Sequence, residues 1–121
     1  MLDLINKTRT TGCVCGTTPM KPVAALKWNS KLEEAAYKHS LDMKTRNYFN
    51  SNDVSNRITQ TGYTWSVFGE NIALGYTTEK AVMDYWIKSE GHCKNIMNGS
   101  FTEVGVGRSG NYWTQVFAKP K

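Results

Sequence analysis

The sequence lacks the features that are diagnostic of several function classes. None of its apolar runs approaches the roughly 18 to 20 residues that a transmembrane helix needs. It also has no block of about five or six like charges, and its net charge of +5 is spread along the chain as single basic residues. Nucleic acid is therefore not the expected partner. The local motifs of zinc peptidases and serine hydrolases, H-E-x-x-H and G-x-S-x-G, are missing as well.

The first residues given are not expected to be a signal peptide. The segment MLDLINKTRTTG has no apolar h-region and predicts a short helix instead. If the protein is exported, its targeting segment has been removed. With 40% hydrophobic and 21% charged residues, the composition is that of a soluble globular protein. The length predicts a single domain over residues 1–121 with a sizeable core.

Cysteine is scarce, with only Cys13, Cys15 and Cys93. The three lack the fourth ligand of a structural zinc site, although His92 adjoins Cys93. A disulfide within the C-x-C pair is disfavoured by geometry. The spacing therefore favours one long-range disulfide between the Cys13/Cys15 segment and Cys93, which leaves one thiol over and indicates an oxidising compartment. Three reduced thiols are the alternative.

Local patterns predict the order of the secondary structure. Ser30 and Glu33 fit a capping box, with Ser30 as the N-cap of a long helix, and Thr78 is placed to cap a second long helix. The predicted elements are a helix over 2–9, a loop over 10–27, helices over 31–46 and 55–62, a strand over 65–74, a helix over 79–88, a short helix from 91, and a C-terminal hairpin turning at 109–111. This order predicts an α+β fold in which helices flank an antiparallel sheet as a three-layer sandwich.

Three polar residues on different elements are candidates for chemistry. His39 lies on the apolar stripe of the long helix, where a charge is costly unless it is satisfied. His92 opens a short helix, and Glu70 stands before the apolar end of a strand. Each has an ordinary structural interpretation, as a neutral core histidine, a capping histidine and a strand-end carboxylate. Together they could form a zinc ligand set with a position left for water, or the same three could do general acid–base work.

Five sequence blocks resemble a known family. In order they are HSLDM, GENIALGY, WIKSEGHCKNIM, EVGVG and YWTQVFA, and they resemble the bacterial branch of the CAP superfamily, which includes cysteine-rich secretory proteins, antigen 5 and pathogenesis-related protein 1. The resemblance covers nearly the whole chain. It implies an α–β–α sandwich with a large cleft, in an extracellular or periplasmic setting. Several members bind lipids, some bind divalent metals, and few are established enzymes.

The resemblance implies roles for individual residues of the cleft. Glu70 matches the glutamate of the GENI motif and is expected to face the cleft, while Asn71 ties neighbouring backbone together. Ser51 stands where the family has a histidine, and Tyr112 where its eukaryotic members have a second one. The second family acid falls near Ser89. The expected cleft residues are therefore Glu70, His92, His39, Asn71, Ser51 and Tyr112, and Glu70→Ala is expected to alter binding with little change in the thermal midpoint.

The resemblance also selects a disulfide. The pair Cys15-Gly16 resembles the bacterial position that bonds to the cysteine of the GHC block. A Cys15–Cys93 disulfide is therefore implied, and Cys13 is left over.

Three functions follow from these observations. The first is a secreted or cell-envelope binding module whose cleft holds an unknown small ligand, such as a lipid, a peptide or a cell-wall fragment. The second is a metal-assisted hydrolase or peptidase that uses Glu70 with His92 or His39. The third is a structural protein of the envelope with a degenerate cleft. A divalent metal such as zinc, held by Glu70 and His92, is the one candidate cofactor.

Overall fold

The computed structural model describes residues 1–121 as five helices and six strands. The helices are α1 (Leu2–Thr11), α2 (Ser30–Arg46), α3 (Val54–Gln60), α4 (Glu79–Lys88) and α5 (Glu90–Ile96), and the strands are β1 (Cys13–Cys15), β2 (Thr18–Met20), β3 (Lys27–Trp28), β4 (Trp65–Leu74), β5 (Glu103–Ser109) and β6 (Tyr112–Pro120). None of these helices combines the length and the apolar character that crossing a bilayer requires.

A four-stranded sheet separates two helical layers. Its order is β3-β5-β6-β4, and only the β3–β5 pair is parallel. Helices α2 and α3 pack on one face, and α1, α4 and α5 pack on the other. The prediction of an α+β sandwich with a mainly antiparallel central sheet is confirmed.

The strand alternation produces two apolar cores. Because side chains of a strand point alternately to opposite faces, β6 contributes to both layers. Val116 and Ala118 pack against α2 and α3 with Leu32, Ala36 and Ile58. The larger core lies on the other face and includes Ile5, Trp86, Cys93, Ile96, Phe101, Val104, Trp113 and Phe117. The two faces are therefore distinct environments, and neighbouring residues of one strand belong to different ones.

Helix α2 lies directly on the backbone of β5. A Cβ atom added to Gly105 would overlap the backbone of Leu32 and Glu33, and one added to Gly107 would overlap Tyr37. The block EVGVG thus places Val104 in the larger core and its glycines under α2. The alternation of valine and glycine sets how closely α2 approaches the sheet.

The start of α2 differs from the prediction in one residue. Asn29, not Ser30, is the N-cap, because its side-chain oxygen accepts hydrogen bonds from the backbone nitrogens of Lys31 and Leu32 at 2.9 and 3.2 Å. Ser30 is the first helical residue. Glu33 accepts a hydrogen bond from Trp28 Nε1. The predicted cap at Thr78 is confirmed, since its hydroxyl accepts from the backbone nitrogen of Ala81.

The segment predicted as a loop over 10–27 contains three short strands. Strands β1 and β2 form a separate antiparallel hairpin, with Cys15 paired with Thr18. Strand β3 adds two residues to the edge of the main sheet, where Lys27 pairs with Glu103. Strands of two or three residues are too short to show a period in the sequence.

A buried arginine anchors α1 to the rest of the chain. Arg9 is almost wholly buried and faces no carboxylate. Its guanidinium donates instead to the backbone oxygens of Ala24, Ile96, Asn98 and Phe101. Burial lowers the pKa of Arg9. The carbonyl dipoles at the C-terminal end of α5 therefore stabilise its charge.

Gly107→Ala tests the contact between α2 and the sheet. We expect this change to lower the free energy of unfolding by about 3 kcal/mol or more, since the backbone of α2 must move to admit the methyl group. Urea unfolding followed by circular dichroism measures the effect. Gly91→Ala is the matched control, because nothing lies within 4 Å of the added Cβ there, and its effect should stay within about 1 kcal/mol. Equal effects of the two changes would contradict this packing.

Candidate functional site

The two polar residues at the centre of β4, Glu70 and Asn71, point to opposite faces of the sheet. Glu70 pairs with Val116, and Asn71 pairs with Gln115. Because paired residues share a face, Glu70 points toward α2 and α3, and Asn71 points toward α4 and α5. They therefore belong to two separate polar sites.

Glu70 forms a bidentate ion pair with Arg57 of α3. The guanidinium donates from Nη1 to Glu70 Oε2 at 2.7 Å and from Nη2 to Glu70 Oε1 at 2.9 Å. The Glu70 side chain is 2% exposed and the Arg57 side chain 15%. Two parallel charge-assisted bonds are the strongest arrangement that these groups form. Both carboxylate oxygens are thus already bound by the protein itself.

The same guanidinium also holds the loop between α2 and α3. Arg57 donates from Nε and Nη2 to the backbone oxygen of Asn52 at 3.0 and 2.7 Å. Asn47 and Asp53, at the two ends of this loop, have left-handed backbone angles. Arg57 therefore ties strand β4 to a loop that has little regular structure of its own.

His39 lies beside this ion pair as a neutral side chain. Its Nε2 donates to the backbone oxygen of Asn50 at 2.9 Å and lies 3.8 Å from Glu70 Oε1. Its Nδ1 is buried without a hydrogen-bond partner. Burial lowers the pKa of His39 more than the nearby carboxylate of Glu70 raises it, and Arg57 lowers it further. The contact with Glu70 is therefore not a second ion pair.

The structure does not bring together Glu70, His92 and His39, the zinc ligand set considered from the sequence. His92 belongs to α5, on the opposite face of the sheet from Glu70. Tyr112 pairs with Leu74, four residues along β4 from Glu70 and thus roughly 14 Å away. Ser51 is exposed in the loop after α2. Of the candidate metal ligands His39, Glu70 and His92, only His39 and Glu70 come together. Arg57 binds both oxygens of that carboxylate.

Asn71 organises the second polar site. Its amide donates to the backbone oxygen of His92 and to Gln115 Oε1, and it accepts from Asn95 Nδ2 at 2.9 Å. Asn95 also donates to the backbone oxygen of Glu70. Asn71 and Gln115 are fully buried. A connected and satisfied network of this kind stabilises one arrangement, and here it fixes α5 against β4.

The imidazole of His92 lies on the helical side of this network. Its Nδ1 is 2.9 Å from Ser89 Oγ, and its ring lies 5.5 Å from that of Tyr85. Tyr85 in turn stacks on Tyr76. Burial lowers the pKa of His92. At the position near which the second family acid is expected, the Ser89 hydroxyl binds His92, and the neighbouring Glu90 pairs with Lys94.

Sequence reasoning missed the residues that complete both sites. Arg57 is one of several arginines in polar surroundings, and no spacing relates it to Glu70. Asn95 stands two residues after Cys93 in the GHC block, and Gln115 stands in the YWTQ block. Asn95 and Gln115 belong to sequence blocks that resemble the family, so the sequence contained a signal for them. No pattern in the sequence singled out Arg57.

Two grooves lie near these elements. One, of about 310 Å³, adjoins Arg57 and is lined by Lys38, Asp42, Arg46, Tyr48, Asn52, Asp53 and Arg57. Each cation there already has a partner on the chain: Lys38 pairs with Glu34, Arg46 with Asp42 and Arg57 with Glu70. This groove offers no free positive charge to an anion.

The other groove, of about 550 Å³, follows the edge of β5 and is called here the β5 groove. It is lined by Met1, Trp28, Glu33, Thr77, Thr78, Glu79, Val106, Gly107, Arg108 and Trp113. Trp28 is 36% exposed. Arg108 lies over the ring of Trp113, 4.6 Å from its centre, and donates to the backbone oxygen of Thr77. Contacts within the protein therefore fix the position of the Arg108 and Trp113 side chains that line the groove.

The floor of the β5 groove is an open strand edge. Lys27 and Asn29 donate from their backbone nitrogens to the oxygens of Thr102 and Val104. Because the backbone groups of a strand alternate in direction, those of Val106 and Arg108 point to the same edge. Strand β3 ends at Trp28, before it could reach them. The groove thus combines backbone hydrogen-bonding groups with aromatic side chains.

Glu70→Ala tests the structural role of the ion pair. We expect a loss of about 3 kcal/mol in the free energy of unfolding, because the change leaves a largely buried guanidinium without its carboxylate. This reverses the effect expected from the sequence. Urea unfolding measures the loss, and Arg57→Met combined with Glu70→Met should cost less than the sum of the single changes. An unchanged midpoint together with loss of zinc binding would restore Glu70 as a metal ligand.

The pH dependence of stability tests the neutral state of His39. Its pKa is lowered in the folded protein by burial, with Glu70, Arg57 and Asp42 as the charges that face it. Unfolded histidine titrates near about pH 6.5. Below that pH the unfolded chain binds a proton that the folded chain does not, so stability falls as the pH falls. His92, whose pKa is also lowered, contributes in the same direction.

Urea unfolding at pH 7.5 and at pH 5 measures this loss in the wild type, in His39→Gln and in His92→Gln. We expect each variant to lose less stability than the wild type on acidification. Gln at position 39 can keep the hydrogen bond to Asn50 without titrating. A loss in His39→Gln as large as that of the wild type would show that His39 is not held neutral.

Comparison with known proteins identifies the family. The profile of the CAP family, described as "Cysteine-rich secretory protein family", matches residues 2–117. The uncharacterized protein YkwD of Bacillus subtilis (strain 168) is 39% identical over 99 residues, which cover 76% of this chain and 38% of that protein. The uncharacterized membrane protein YlbC of the same organism is 36% identical over 102 residues, 80% of this chain and 30% of that protein.

A solved structure agrees with these relatives. The crystal structure of an extracellular protein containing a SCP domain from Bacillus anthracis str. Ames superposes with a TM-score of 0.77 at 34% identity, and covers 80% of this chain and 34% of that one. The match thus spans only 30% to 38% of the length of these relatives. The matched profile, the identities and the shared sandwich establish that the chain belongs to the CAP superfamily of cysteine-rich secretory proteins.

Proposed function

We propose that the chain is an extracellular, non-enzymatic CAP domain that binds a short extended peptide in the β5 groove. The observation that carries this proposal is the open edge of β5 beside the exposed side chain of Trp28. A peptide laid along that edge would gain main-chain hydrogen bonds from Val106 and Arg108. The exposed ring of Trp28 would provide apolar contact for its side chains.

The chemistry of the groove favours a peptide over a lipid. Its walls carry Glu33, Glu79 and Arg108 in addition to the tryptophans, whereas an acyl chain needs a mainly apolar cavity. Glu79 already pairs with the terminal amino group of Met1, whereas Glu33 has no cationic partner and accepts only from Trp28 Nε1. Glu33 therefore favours a ligand with a basic or amino group. The outward groups of Val106 and Arg108 span only about 7 Å. The expected affinity is therefore modest, in the micromolar range.

The state of Glu70 argues against the hydrolase alternative. A general base must have an oxygen free to accept a proton from water or substrate. Both oxygens of Glu70 accept from Arg57, and the side chain is almost inaccessible. His39 is buried beside it, and its Nε2 is bound to Asn50. The residues matching the family motif thus support a structural role on this face of the sheet.

An extracellular setting is supported by the relatives and by the cysteines. The similar Bacillus anthracis protein is described as extracellular. The chain also contains a disulfide between Cys15 and Cys93, and such bonds persist in oxidising compartments.

Peptide binding is tested by isothermal titration and by amide chemical shifts. The probes are a panel of tri- to pentapeptides, including basic sequences and cell-wall stem peptides, with a peptide-free glycan fragment for comparison. We expect micromolar binding and shift changes at Val106 and Arg108. Val106→Pro should weaken binding at least about tenfold, because it removes an outward N–H that β6 does not use, and proline is tolerated on strand edges.

The matched controls separate binding from folding and from catalysis. Trp28→Ala should weaken binding, whereas Trp65→Ala, in another groove of the same protein, should bind as the wild type does. Binding of the glycan fragment alone, or shift changes confined to His39 and its neighbours, would refute the peptide assignment. Turnover of casein that Glu70→Gln abolishes would show instead that the domain is a hydrolase.

A further inference from the structure

The three cysteines of the chain form one sulfur cluster. Cys15 and Cys93 are joined by a disulfide that ties the β1–β2 hairpin to α5. Cys13 is a free thiol, and its Sγ lies 3.5 Å from Cys93 Sγ and 3.9 Å from Cys15 Sγ. All three sulfur atoms lie within 4.8 Å of one another. The chain thus holds a nucleophile in contact with a bond that it can attack.

We propose that Cys13, Cys15 and Cys93 form a thiol–disulfide exchange site in which Cys93 bonds to either Cys13 or Cys15. Cys93 is the shared partner because it comes from a different element, α5, whereas Cys13 and Cys15 lie on the same strand. A bond between Cys13 and Cys15 themselves is disfavoured by the geometry of a C-x-C pair. The site therefore has two states, and both tie the hairpin to α5.

The exchange is balanced without an external oxidant or reductant. The Cys13 thiol first gives its proton to solvent. The thiolate then attacks Cys93 Sγ, so that a Cys13–Cys93 bond forms while the Cys15–Cys93 bond breaks. Cys15 leaves as a thiolate and takes a proton from solvent. One disulfide and one thiol are present before and after the step.

The geometry favours Cys93 as the sulfur attacked, and it also makes the exchange slow. Cys13 Sγ is nearer to Cys93 than to Cys15, but the two distances are similar, which places it beside the bond and not on its axis. The Cys13 side chain must therefore rotate before the attack. Val14, between the two cysteines, is mostly exposed, so the hairpin has room to adjust. Burial raises the pKa of Cys13, which keeps the thiolate scarce.

The two states should have similar stability. The Cys15–Cys93 bond closes a sequence separation of 78 residues, and a Cys13–Cys93 bond would close one of 80. The loop entropy changes only with the logarithm of that length, so it does not distinguish them. Cys15 is fully buried, and a buried thiol behaves as a small apolar group. Neither state leaves a charge in the core.

Serine variants test whether Cys13 can replace Cys15. In Cys15→Ser we expect no titratable thiol after oxidative refolding and a Tm within a few degrees of the wild type. The double variant Cys13→Ser/Cys15→Ser should retain one thiol and lose on the order of 10 °C in Tm, since no disulfide remains. Two free thiols in Cys15→Ser, with a Tm equal to that of the double variant, would overturn the proposal.

Mapping the free thiol in the wild type tests the exchange itself. The native protein is incubated at pH 8 without reductant, quenched in acid, and labelled with N-ethylmaleimide in acidic denaturant, where exchange is arrested. Fragmentation on either side of Val14 distinguishes the two labelled cysteines by mass spectrometry. We expect label at Cys15 as well as at Cys13. Label at Cys13 alone, at every incubation time, would show that Cys93 keeps a single partner.

Discussion

The ion pair between Arg57 and Glu70 determines what the α2–α3 face of the sheet can do. A carboxylate at this depth needs a positive partner, because an uncompensated buried charge is costly. In this chain the partner is an arginine of α3, which at the same time binds the loop after α2 through Asn52. The guanidinium therefore already binds both of the carboxylate oxygens that a metal ion would need. His39 remains neutral beside it, and Glu70, the glutamate of the GENI motif, holds α3 and the loop after α2 against the sheet through Arg57.

Asn71, which follows Glu70, is a polar residue on the other face of the sheet, and it also has its partners within the protein. Asn71 is fully buried, and its amide is satisfied by Gln115, Asn95 and the backbone of His92. These bonds hold α5 against the sheet. Cys93 lies on α5, so the position of the sulfur cluster depends on the same network. The GENI block thus fixes two helical layers from two consecutive residues, and its polar character reflects packing.

The sequence predicts the parts of the fold that local chemistry controls. The helices, the long strand and the hairpin follow from periodicity and turn residues, and the Val–Gly alternation of β5 follows from the two faces of a sheet. The N-cap of α2 shifted by one residue because Asn29 and Ser30 are both good caps. Arg57 could not be predicted, because only the tertiary fold brings its guanidinium to Glu70. The short strands before α2 gave no periodic signal.

The β5 groove depends on where one strand stops. Asn29 still donates its backbone nitrogen to Val104 as a strand residue does, while its side chain caps α2. The chain therefore leaves the sheet at this residue, and β3 cannot continue along β5. The open edge at Val106 and Arg108 is thus a direct result of starting α2 there. Because Gly105 and Gly107 seat α2 so closely on the sheet, the helix covers the face of β5 and leaves its edge free.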